Sequence, residues 1–175
     1  MAEYELLRGL PPYGDFALSI PDQWGGGGKE GIVVRFGDGD SAWVGNFRPG
    51  FSGLTSVLPH PDRHRVIVLA EGDCWAVDPR LRAAELLAEG VADVLHVPST
   101  PDILLVDATA ITRVGRAGVD WRTRRLSWDG LSGVTLAGSV VTGTAWDAIH
   151  DRECAFIVEL ETGDALAFAP GCPPN

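Results

Sequence analysis

Gly53-Leu54-Thr55-Ser56-Val57-Leu58-Pro59-His60-Pro61 and Gly90-Val91-Ala92-Asp93-Val94-Leu95-His96-Val97-Pro98 are two versions of one phrase, 37 residues apart (90 − 53). The match runs on without a gap: Val66-Ile67-Val68-Leu69 falls on Ile103-Leu104-Leu105-Val106, and Val77 falls on Val114. The opening returns at Gly130-Leu131-Ser132-Gly133-Val134, 40 residues after Gly90, and a weaker copy opens at Gly14-Asp15-Phe16-Ala17-Leu18, 39 residues before Gly53. A fixed period of about 35–50 residues marks stacked or radial β-sheet elements, or helical arrays. The spacing predicts four repeats, approximately 14–52, 53–89, 90–129 and 130–168, within a single domain over 1–175.

The residue types decide for β. Ile32-Val33-Val34-Arg35-Phe36, Val66 to Leu69 and Ile103 to Val106 are short, β-branched runs. Each is closed by turn residues: Gly37-Asp38-Gly39-Asp40, Glu71-Gly72-Asp73 and Asp107-Ala108-Thr109. Second runs follow at Ala42 to Phe47, Cys74 to Val77 and Ile111 to Val114. Near the end, Ala155 to Leu160, the turn Glu161-Thr162-Gly163-Asp164, and Ala165 to Phe168 read as a hairpin. Gly and Pro make up 34 (22 + 12) of 175 residues, which suits many turns and few helices. A helix around Leu81 to Ala88 competes with an outer strand there, and the repeat register favours the strand. Each complete repeat therefore reads as four antiparallel strands, the last at Ala83 to Ala88 or Asp120 to Trp128. That is the composition of a β-propeller blade; the alternative is a β-sandwich or barrel. The first repeat is irregular, with little chain after Phe47 for a fourth strand, and the segment Glu3 to Leu7 is expected to supply a strand elsewhere by closing a ring.

Val57-Leu58-Pro59-His60-Pro61-Asp62, then Val66 to Leu69, then Val77-Asp78, resembles the common phrase of β-propeller repeats: a Pro-Asp turn, an apolar strand, a glycine turn and a strand ending in Asp. Glu30-Gly31-Ile32-Val33-Val34-Arg35-Phe36, Trp43-Val44-Gly45-Asn46-Phe47 and Trp121-Arg122 through Trp128-Asp129-Gly130 resemble an uncharacterised bacterial protein family. The resemblance covers most of the chain and implies a fold, a small or incomplete propeller, rather than a function.

Composition narrows the function classes. The hydrophobic fraction of 45%, with six Trp and six Phe, is ample for a packed core. A net charge of −10 repels phosphate backbones and anionic headgroups, so neither nucleic acid nor membrane is an expected partner. Such a surface suits a basic protein, a cation or a small ligand. Lys29 is the single lysine, which argues against Schiff-base chemistry. Cys74, Cys154 and Cys172 form no CxxC pair and are read as buried free thiols in a reducing compartment. The N-terminal residues lack a basic segment followed by an apolar one, and no apolar run reaches the roughly 18 residues of a membrane span, so a cytoplasmic protein is expected.

Motifs with chemistry are sparse, and none calls for a cofactor. His60, Asp62 and His64 have spacing that could ligate a metal, against the simpler reading of a solvated Pro-Asp turn. Asp38-Gly39-Asp40 lacks the further oxygen ligands of a calcium loop. Gly25 to Gly28 before Lys29 lack the Lys-Ser/Thr ending of a phosphate loop. Ser127 is not in a nucleophile elbow. Arg122, Arg124 and Arg125 between Trp121 and Trp128 are read as ion-pairing with acidic turns, and Trp24 as a candidate for stacking on carbohydrate.

The fold hypothesis yields one constellation. If the turns between second and third strands share a rim, they gather Asp38, Asp40, Glu71, Asp73, Asp107, Asp147 and Asp151 into a negative field. The leading expectation is a non-enzymatic binding module showing this acidic face to a basic protein, of an inhibitor or immunity type. One alternative is a metal- or ligand-dependent propeller hydrolase or isomerase, with Ser56, Asp93 and His96 nearest its channel. The other is a structural protein that assembles as a homo-oligomer.

Overall fold

A computed structural model describes residues 4–13, 16–24 and 29–168. Gly14 and the run Gly25 to Gly28, which the sequence reading used, lie outside the described residues. The described chain is all β, and none of its sheets closes into a barrel. Two compact units divide it, Met1–Gly90 and Val91–Asn175, with the boundary at the start of the third expected repeat.

The first unit holds two four-stranded sheets. One contains β1 (Tyr4–Leu7), β2 (Leu18–Ile20), β3 (Ile32–Phe36) and β4 (Trp43–Phe47), in the order β1-β3-β4-β2. The other is the meander β5 (Ser56–Pro59), β6 (Val66–Ala70), β7 (Asp73–Asp78) and β8 (Ala83–Ala88). The second unit repeats the meander twice. Its first sheet is β9 (Asp93–His96), β10 (Ile103–Val106), β11 (Ile111–Gly115) and β12 (Gly118–Arg122). Its second is β13 (Leu131–Ala137), β14 (Val140–Asp147), β15 (Arg152–Glu159) and β16 (Ala165–Phe168).

The 37-residue offset reappears in the registers. The row Pro59–Val66–Val77 across β5, β6 and β7 becomes His96–Ile103–Val114 across β9, β10 and β11. The glycines opening these sheets sit at positive φ: 78° at Gly53, 65° at Gly90 and 112° at Gly130. An L side chain is strained in that region, so a turn of this shape selects glycine. The outer strands diverge, because a bulge falls between Cys74 and Trp75 in one sheet and between Arg113 and Val114 in the other.

The structure departs from the expected arrangement at several points. Tyr4–Leu7 is not used to close a ring: it pairs antiparallel with β3, at the edge of its own sheet. Leu18–Ile20 does not precede β3 in the sheet; it lies parallel to β4 on the far edge. The first sheet is therefore mixed where the other three are antiparallel. The segment at Leu81 to Ala88 forms strand β8, the outcome the repeat register favoured. The outer strand of the third repeat stops at Arg122, short of Trp128. Cys74 is free and buried, with desolvation pushing its thiol pKa up to about 12, but Cys154 is disulfide-bonded rather than a free thiol.

Each unit is held by the apolar faces of its two sheets. In the first, Val34, Phe36, Trp43 and Phe47 meet Val66, Val68, Trp75 and Val77. Phe36 stacks on Trp43 with centroids 4.5 Å apart, and Phe47 reaches Trp75 of the facing sheet at 6.5 Å. The Trp43 indole N–H donates to the Pro79 carbonyl at 2.9 Å, so this buried ring keeps its polar atom satisfied. In the second unit Leu104, Val106 and Ile111 meet Val141, Phe156 and Val158. Each such side chain contributes about 1.5–3 kcal/mol when fully buried.

Two glycines separate steric from conformational demands. A Cβ at Gly31 would collide with the Phe47 carbonyl, whereas a Cβ at Gly53 meets open space. Gly31→Ala is expected to destabilise by about 3 kcal/mol through overpacking. Gly53→Ala should cost about 1–2 kcal/mol, from its backbone conformation alone. Urea unfolding of both variants checks this; equal losses would contradict it.

Candidate functional site

The turns between second and third strands place the seven acidic residues in two classes. Asp38 precedes the short 3-10 turn Gly39–Ser41 between β3 and β4, and Asp40 lies within it; both are exposed and form no ion pair among the described residues. Asp151 is exposed at the β14–β15 turn, and Glu71 is half-buried at the β6–β7 turn. Both sit at positive φ, 52° and 48°.

The other three are buried and paired. Asp73 is 2% exposed and accepts from the Arg48 guanidinium at 2.8 and 3.3 Å. This pairing raises the Arg48 pKa above its ordinary value. Asp107 accepts the amides of Thr109 and Ala110 and the Thr109 hydroxyl, and it pairs with Arg122 at 2.8 Å. Asp147 uses Oδ1 to accept the amides of Ile149 and His150, while Oδ2 stands 2.7 Å from His150 Nδ1 and 3.5 Å from Arg152 Nε. The hydrogen bond from His150 holds the Asp147 carboxyl below its ordinary pKa. These three carboxylates organise their turns, and the outward negative charge falls to Asp38, Asp40, Asp151 and in part Glu71. The two units divide the set: Asp38, Asp40, Glu71 and Asp73 belong to the first, and Asp107, Asp147 and Asp151 to the second.

The His60, Asp62 and His64 set does not converge. His60 is 2% exposed, and its Nδ1 accepts the Asp62 amide at 2.9 Å. Asp62 Oδ1 accepts the His64 amide at 3.2 Å, and the His64 side chain stands in solvent. Among the described residues no three His, Cys, Asp or Glu side chains are grouped to hold a metal. The loop is a local turn in which imidazole and carboxylate both cap backbone amides.

The enzyme candidates are also apart. Asp93 and His96 are exposed at opposite ends of β9, about 10 Å apart along a strand, and Asp93 accepts its neighbour's amide at Val94. Ser127 is fully buried; its hydroxyl bonds the carbonyls of Gly130 and Trp146 and the Trp146 amide, tying the segment after β12 to β14. Trp24 is half-buried and packs over Gly31. Of the arginine cluster, Arg122 pairs with Asp107, and Arg125 lies 5.3 Å from the Trp128 ring centroid while donating to the Ser127 and Trp128 carbonyls.

Arg113 was absent from the candidates. It is 8% exposed on β11, with Asp102 at 2.7 Å, Glu161 at 3.2 Å and the Leu160 carbonyl at 3.0 Å. It joins the two sheets of the second unit through their polar ends. An arginine inside Ile111-Thr112-Arg113-Val114 was the available signal, because a charge among strand apolars demands a partner.

The two classes of carboxylate separate experimentally. Asp73→Asn and Asp107→Asn should each lower stability by about 1–3 kcal/mol, since each removes a charge-assisted bond to arginine. Asp38→Asn and Asp40→Asn should stay within about 0.5 kcal/mol. Asp147 adds an acid dependence. A carboxyl with a depressed folded pKa stabilises fully above its unfolded pKa and loses that contribution as pH falls through the folded value. Acid titration monitored by circular dichroism should show wild type losing stability below the usual carboxylate range, and Asp147→Asn should lack that component.

No protein-family model matches the chain, and no curated protein matches it. Among solved structures the chain is similar to one titled "Crystal structure of the eukaryotic initiation factor", at 9% identity and a TM-score of 0.44 over 79% of this chain. The chain spans 40% of the length of that one. A likeness at this level carries no argument about what the protein does.

Proposed function

We propose that the protein is a non-enzymatic binding module that offers acidic turns to a basic protein partner, in the manner of an inhibitor or immunity protein. One observation supports this reading above the others: the division of charge. Six arginines, Arg35, Arg48, Arg65, Arg113, Arg122 and Arg152, lie within ion-pairing distance of the chain's own carboxylates. The basic side chains total 14 against 24 acidic ones. Internal pairing thus engages much of the positive charge and leaves the negative excess at solvent, with Asp38, Asp40 and Asp151 on turn tips. A field of that sign accelerates encounter with a basic surface and disfavours acidic competitors.

Turn tips suit this role mechanically, because the sheets behind them are rigid and the loops tolerate substitution. The cytoplasmic location expected from the sequence remains part of this proposal. No helix among the described residues is long and apolar enough to cross a membrane.

The test uses the immobilised chain as bait for proteins of a native extract, eluted with a sodium chloride gradient. The expected result is a basic protein released over a narrow salt range, and its loss from a bait carrying Asp38→Lys, Asp40→Lys and Asp151→Lys with an unchanged melting temperature. Identical capture by both baits would defeat the proposal.

A further inference from the structure

The loop joining β5 to β6 is closed on a histidine whose two nitrogens are both committed to the neutral state. His60 Nδ1 accepts the Asp62 amide at 2.9 Å, which requires a lone pair there and places the ring proton on Nε2. Nε2 is itself buried and has no hydrogen-bond partner among the described residues. The loop closes around this contact through backbone bonds from His60 N to the Arg65 carbonyl and from Arg65 N to the Asp62 carbonyl, at 3.4 and 2.9 Å.

We propose that His60 makes the 59–65 loop an acid-released latch, closed while the imidazole is neutral and opened when Nδ1 takes a proton. A proton on Nδ1 turns the acceptor into a donor facing a backbone N–H, so the contact that caps the turn becomes a repulsion. It also places a full charge on a side chain that is 2% exposed. Three charged groups bear on the ring. Arg65, in the same loop, opposes protonation, while Asp62 in the loop and Glu85 on β8 favour it. Arg65 lies 3.9 Å from both carboxylates and offsets part of their effect. Burial is the largest influence and lowers the His60 pKa below its ordinary value of 6.5.

The sign follows from linkage. Below pH 6.5 and above the folded value, the unfolded chain binds the proton and the folded chain does not. Stability therefore rises with pH in that window and is lost on acidification, by up to about tenfold in the folding equilibrium constant per pH unit. Opening is local first, since the loop's closing bonds all lie between His60 and Arg65.

The test is a residue-resolved NMR titration of the full chain between pH 7.5 and 4.5. The expected result is a His60 imidazole midpoint below 6.5, with the Asp62 amide resonance moving at that same midpoint. A His60 midpoint at or above 6.5, or an Asp62 amide that does not follow it, would overturn the latch. His60→Asn supplies the second arm, because its Oδ1 stands where Nδ1 stood and accepts the amide without titrating. Urea midpoints for this variant should fall less than those of wild type between pH 7 and 5.5; an equal fall would count against the proposal. Should His60→Asn fail to fold, the wild-type titration decides by itself.

Discussion

Water has to be kept from strands that are apolar along their whole length. In β6 all five residues are buried, and in β10 all four, so these strands have no wet face to alternate with the dry one. A lone four-stranded meander cannot satisfy that demand, and each unit meets part of it by setting one sheet against another. Everything else follows from this arrangement. The turns are pushed to the ends of the sheets, and the glycines at 53, 90 and 130 adopt the backbone that lets one sheet stop and another begin.

The ends of the sheets carry the polar chemistry, and there the chain mostly binds itself. Asp73 with Arg48, Asp107 with Arg122 and Asp102 with Arg113 are charge pairs with the carboxylate side largely out of water. Such pairs add little net stability relative to apolar packing, yet losing one partner strands a charge in the interior. They fix which turn meets which strand. An acidic surface then arises as the remainder, because there are more carboxylates than arginines to hold them. In the same way His60 and Asp62 are used to cap amides, so residues that look like ligands in a list are occupied by the backbone beside them.

This division guides the functional reading. A rim of seven equivalent carboxylates would have been a strong, diffuse attractor. Two classes leave fewer exposed carboxylates, Asp38 and Asp40 on the first unit and Asp151 on the second. Recognition by such tips, as proposed, would be electrostatic and salt-sensitive. A pH-sensitive loop at His60 belongs to the scaffold rather than to the tips, so protonation of His60 would act on the shape of the first unit and not on the carboxylates at its turn tips.

The sequence by itself determined the class of element and the places where elements turn. Short β-branched runs, bounded by Gly and Asp at a steady period, have few other ways to fold, and the 37-residue offset carried even the pairing rows from one sheet to the next. Periodicity of apolar residues is a local property, and local properties are legible in a chain. Tertiary structure alone decided the rest. It put Tyr4–Leu7 beside β3 and Leu18–Ile20 parallel to β4, since edge positions are filled by whatever segment can reach them. It also sorted identical Asp residues into buried and free, according to which partners reach them: Arg48 reaches Asp73 at 2.8 Å, and no ion-pairing partner among the described residues reaches Asp38. Charge is written in the sequence; its neutralisation is a matter of distance, which only the folded chain supplies.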